Sequence, residues 1–145
     1  MYAILKTVHS YWAYIVLIIL TLATLRSLIG FFTKKTFGVS DFRAGLFGLI
    51  VSHIQLLIGL ILYFVSPWFD QWSQGMGAVM KDAQTRLYLV EHPTINILAL
   101  VFITLGWSLH KRVNEDSKKF FRIGTFYTIG LVLLLSRIPW RTWLG

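Results

Sequence analysis

The chain of 145 residues contains no cysteine. Disulfides, Cys-ligated zinc and Cys-ligated iron–sulfur clusters are therefore excluded. Acids are nearly as scarce, with only six: Asp41, Asp70, Asp82, Glu91, Glu115 and Asp116. So few carboxylates exclude a carboxylate-bridged di-metal site. No phosphate-binding glycine loop, no HExxH and no GxSxG occurs, so no catalytic constellation of a soluble enzyme is present. Charge is short as well. Charged residues make up 14% of the chain, against roughly a quarter in an average soluble domain.

Apolar residues fill the gap. They are 56% of the chain, and the mean hydropathy is +0.66, which marks an integral membrane protein. The net charge of +8 does not point to nucleic acid, because the basic residues lie between apolar segments. That is the pattern of topology determinants.

Four spans are expected, at about 8–30, 44–66, 88–110 and 120–140. Lys6 and Arg26 bracket the first, whose apolar run is too long for a cleavable signal. The second falls in the 26 uncharged residues from Ala44 to Phe69. The third is VEHPTINILALVFITLGWSLHKR, apolar on every face, so it is no amphipathic surface helix. From His92 to His110 it measures ~27 Å, close to the hydrocarbon thickness of a bilayer. The fourth has an uncharged core of only 14 residues, Ile123 to Ser136. It crosses only if Arg137 snorkels and Trp140 and Trp143 anchor the interface. Between the second and third, Trp68, Trp72 and Met76 recur at helical spacing and predict a short interfacial helix. A helix beginning near Asp82 would run into the third span, with Pro93 as an internal kink. The expected fold is all-α, a single-domain membrane four-helix bundle over residues 1–145.

Basic residues set the orientation. Arg26, Lys34, Lys35, Arg43, Lys111, Arg112, Lys118, Lys119 and Arg122 flank the first and third loops, nine of the fourteen. The other five are Lys6, Lys81, Arg86, Arg137 and Arg141. Nine against five places the basic loops in the cytoplasm and both termini on the outer, periplasmic side of a bacterial inner membrane.

In this topology the first and third spans are parallel. His9 and His92 then begin them at similar depth, on helices that can be neighbours. Two neutral imidazoles facing each other across a bundle are what a six-coordinate b-type haem iron requires. The haem propionates would want outer-side cations, with Arg86 the first choice among Lys6, Arg86, Arg137 and Arg141. Glu91 or a backbone carbonyl would orient an imidazole from behind. His53 and Gln55 form a polar pair near mid-bilayer, expected to face the interior, either as haem surroundings or as interhelical hydrogen-bond glue. His110, beside Lys111, reads as an ordinary solvated boundary residue. The alternative for His9 and His92 is equally plain: interfacial polar residues in a protein without a cofactor.

The segments VHSYWAYIVL, SHIQLLIGLILYFVSP, MKDAQTRLYLVEHP, ALVFITLGWSLHKR and RIPW resemble a family of small four-span Bacteroidetes proteins described as cytochrome b-like membrane proteins. The resemblance covers essentially the full length and implies haem binding. More distantly, His9 before YWAYIVLIIL, QLLIGLILYF, and His92 before PTINILALVF look like one half of haem A synthase. In that family, parallel helices begin with a histidine on the outer side and hold a haem between them. No glutamate precedes His9 and there are no outer-loop cysteines, so this second resemblance implies haem binding without haem oxidation. A half of a pseudo-twofold protein also implies a homodimer.

The leading expectation is therefore a b-type haem protein for electron transfer or haem handling, with a quinone or respiratory-chain partner. The alternative is a cofactor-free scaffold or accessory subunit whose loops bind a larger membrane complex. A transporter or channel has little behind it, since no span carries a central charge.

Overall fold

A computed structural model describes residues 1–144. Its four long helices are each apolar enough to cross a membrane: α1 (Tyr2–Phe32), α2 (Val39–Val65), α3 (Ala83–His110) and α4 (Asp116–Ser136). The 21 residues of α4 measure ~31 Å, about one hydrocarbon core, and those of α1 overhang it. Helix α4 begins before its expected start and stops at Ser136, so the span is complete without Arg137. A separate turn, Trp140–Leu144, follows Pro139.

Local chemistry sets the ends. Asp41 sits in the first turn of α2 and accepts from the Gly38 amide at 2.9 Å and from Arg26 Nε at 2.7 Å. One carboxylate thus caps α2 and ties it to α1. Ser66 is extended because proline follows it, and its hydroxyl accepts from the Trp68 amide. A 3-10 helix, Pro67–Gln74, results. Gly75, at φ 91°, then turns the chain through a region that disfavours side chains, and Met76–Lys81 forms a second short helix. The expected single interfacial helix is therefore two pieces, with Met76 beyond the break. Asp82 starts α3 by accepting from the Thr85 hydroxyl and amide, and these bonds hold its carboxyl below its ordinary pKa.

Helix α1 packs on α2 and α4, and α3 packs on α4 and, more sparingly, on α2. The helices that carry His9 and His92 are thus diagonal partners across the interior rather than adjacent helices. Leu20, Ile103, Ile123 and Tyr127 are fully buried between the helices. Large apolar residues such as Ile18, Leu22, Leu57 and Phe64 cover the outside, a surface suited to lipid. Hydrophobic burial cannot hold such helices together in a bilayer, so close packing must. Gly106 and Gly130 supply it on the α3–α4 seam. A Cβ at either would lie 2.7 Å from Phe126 or 2.6 Å from Ile103. The Tyr127 hydroxyl closes the diagonal by donating to the Gly45 carbonyl at 2.7 Å.

Candidate functional site

The α3 helix begins irregularly. Pro93 has no N–H and would leave the carbonyl four residues earlier, on Leu89, unpaired. Residues Leu87–Glu91 open into a π-turn there. The Leu89 carbonyl accepts instead from the Tyr63 hydroxyl of α2 at 3.0 Å, and Trp72 Nε1 donates to that same hydroxyl at 3.0 Å. The irregular turn is thus braced by α2 and the 3-10 helix, directly before His92. Replacing Tyr63 with Phe strands a buried carbonyl and an indole N–H. The expected cost is about 1–3 kcal/mol, read as a lowered midpoint in detergent thermal unfolding with helix content unchanged.

His92 is then fixed in orientation. Its Nδ1–H donates to the Arg137 backbone carbonyl at 2.9 Å. Nε2 is left as the nitrogen with a free lone pair, and Asn96 Nδ2 approaches it to 3.1 Å. Opposite stands His9 of α1, with ring centroids 6.2 Å apart and planes crossed at 81°. Its Nδ1 is buried and has no hydrogen-bond partner. Gln55 Nε2 donates to the His9 carbonyl at 2.9 Å. Gln55 Oε1 and Asn96 Oδ1 are buried without donors. Three helices therefore bring four polar side chains together, and three of their atoms lack partners.

These groups line a cavity of ≈ 250 Å³ whose walls are otherwise mostly apolar. An open surface hollow adjoins it, sharing Tyr2, Lys6, Ser10, Thr142 and Trp143. Trp143 packs on Tyr14 of α1 at 4.6 Å, and the Tyr88 and Thr142 hydroxyls bond at 2.6 Å. The C-terminal turn thus closes over the end of the bundle that carries both termini.

The remaining sequence-predicted residues take different places. Glu91 does not touch His92. It pairs with Arg86 at 3.2 Å and with Arg137 at 3.8 Å, so it anchors the residue whose carbonyl orients the imidazole. Arg86 also donates to the Met80 carbonyl at 2.6 Å. Arg86 is thus already paired, not a free cation as expected. Lys6 lines the cavity and is in no ion pair among the described residues. His53 faces outward, its Nδ1 donating to the Leu49 carbonyl at 2.8 Å and its Nε2 3.4 Å from the Thr104 hydroxyl. The expectation that it lines the interior with Gln55 fails, because only Gln55 lies on the cavity face. His110 is not solvated either: it is 1% exposed, packed among Phe37, Phe42 and Trp107 and bonded to the Trp107 carbonyl. Asn96 was missed. Its signal was present, an amide four residues after His92 on the same helical face.

Among the described residues no three His, Asp or Glu side chains converge as a metal cluster. Two imidazoles from different helices meet at a mostly apolar cavity. Set against known protein families, curated proteins and solved structures, the chain finds no match.

Proposed function

We propose that this chain is a membrane-embedded b-type haem protein, with His9 and His92 as axial ligands. The observation that carries the reading is their separation. The two rings, on different helices, stand with centroids 6.2 Å apart across a mostly apolar cavity, close enough for both to serve one iron. The carbonyl behind His92 selects Nε2 for the metal side, as a histidine ligand's second hydrogen bond generally does. Asn96 Nδ2 gives up its approach to that nitrogen. Lys6 stands at the mouth for an anionic propionate.

A bound haem would accept and release one electron, and with both axial positions taken it would offer no open site for a substrate. The residues therefore support electron transfer or haem handling rather than oxygen chemistry. The excess of basic residues at the opposite end supports an outer-side location for the site, and a quinone or respiratory-chain component of a bacterial inner membrane is the kind of electron partner such a haem would need.

A second reading has one observation in its favour. Both nitrogens of His92 already have partners, Arg137 O and Asn96 Nδ2, so the polar seam can serve a cofactor-free scaffold. Haem titration into protein purified from haem-depleted cells separates the two. The haem reading expects a Soret band that saturates at about one haem per chain, with a low-spin ferric EPR signal of crossed imidazole planes. Unsaturable, detergent-like absorbance would favour the scaffold.

A further inference from the structure

The end of the bundle away from the cavity carries most of the charge. Nine of the fourteen cations lie there with three of the six acids, Asp41, Glu115 and Asp116, a net +6 against +2 at the other end. Ion pairing removes little of it. Asp41 is taken by Arg26 at 2.7 Å and Glu115 by Lys118 at 3.6 Å, and the other seven cations are in no ion pair among the described residues. Topology alone asks that cations lie in these two loops, not that the loops meet. Here they meet. Phe37, between α1 and α2, packs on His110 and Phe120 with ring centroids 5.6 and 5.0 Å apart. Lys119 Nζ lies 5.4 Å from the centre of the Phe37 ring, and Lys111 Nζ 5.5 Å from that of Trp107. Both of those rings pack on the buried His110, so one residue sets the places of both cations.

A lysine lying over an aromatic ring keeps its N–H donors for an anion. Apolar rings also border the surface. Phe31 packs with Phe32 and with Phe121, and Phe32 is 76% and Phe121 52% exposed. Cations beside exposed rings at the ends of spans match a phosphate joined to acyl chains better than a soluble polyanion. Clusters of four to eight Lys or Arg just outside a span draw anionic headgroups.

We propose that the two basic loops form one binding surface for anionic phospholipid headgroups, with Lys111 and Lys119 as the cations that hold the phosphates. The surface lies at the opposite end from the cavity and does not depend on what fills it. Lys118, one residue from Lys119, is turned to Glu115 and has no part in it.

The experiment titrates purified protein in neutral detergent with phosphatidylglycerol or phosphatidylcholine and counts retained lipids by native mass spectrometry. Wild type is expected to hold phosphatidylglycerol at least several-fold more tightly. Lys111→Gln with Lys119→Gln should weaken it on the order of thirty-fold, about five-fold for each lysine. Lys81→Gln with Arg141→Gln removes the same charge from the other end, and that pair, like Lys118→Gln alone, should leave binding near wild type. Lys111→Arg with Lys119→Arg keeps the charge and should keep the lipid, which covers the case of a glutamine pair that assembles poorly. Equal losses in the two glutamine pairs would mean that net charge alone is at work, and would overturn the site. A wild type without preference for phosphatidylglycerol would overturn it too, and leave the surface to an acidic protein partner. Inorganic phosphate should displace the lipid no better than chloride at matched ionic strength; displacement specific to phosphate would make free phosphate, not lipid, the ligand.

Discussion

Alanine at His9 or at His92 is expected to abolish the haem absorption of the protein while leaving the bundle folded. Each ring would supply one axial ligand, and no other histidine can replace it. His53 is on the outward face and His110 is buried at the far end among Phe37, Phe42 and Trp107. Losing a residue that merely orients a metal ligand costs about 10–100-fold in affinity, so losing the ligand should exceed that. The fold should survive because neither ring belongs to the buried core around Leu20, Ile103, Ile123 and Tyr127. Absorption spectra and circular dichroism of the same samples read both halves of the prediction. Free imidazole should restore part of the Soret band in either variant by occupying the vacated space. His53→Ala is the control and should retain full haem content. A His9→Ala, His92→Ala double variant that still binds one haem would sink the assignment.

Gly59→Leu should lose haem almost as completely, by a different route. The Cβ alone would stand 3.1 Å from His9 Cε1, and the rest of a leucine occupies the space between α2 and the ring. Overpacking of this kind costs about 1–3 kcal/mol when the surroundings yield. Here the readiest part to yield is the His9 ring, which is partly exposed on its cavity side. Haem content is expected to fall at least several-fold with little change in helix content. Gly77→Leu, at a glycine with nothing within 4 Å of a built Cβ, should change neither. A Gly59→Leu protein with wild-type haem content would show that His9 does not need its place beside α2.

The spans were legible because a bilayer imposes a simple demand on sequence: enough consecutive apolar residues to match its thickness. Charge gaps located all four helices, and where a kink at Pro93 was expected the structure has a π-turn over Leu87–Glu91. What a charge gap cannot give is helix order, since an apolar face looks alike toward lipid and toward a neighbour. The diagonal placement of α1 and α3 emerges from packing, through close approaches such as Gly106 and Gly130. The same ambiguity misplaced His53. Gln55 and His53 are two residues apart, hence well separated around a helix, so only one could face the cavity. Sequence does not show that Glu91 neutralises Arg86. His110 was read as solvated because Lys111 and Arg112 follow it. Its imidazole nevertheless turns back into an aromatic cluster. The His9–His92 pairing was legible in depth, and the 6.2 Å separation is what the structure adds.

The most direct measurement is a dithionite-reduced minus oxidised absorption spectrum of detergent-purified protein from haem-supplied cells, with pyridine haemochrome quantitation. A b-type α-band at about one haem per chain is the result this account predicts. A colourless protein, folded and helical but free of haem, would contradict it.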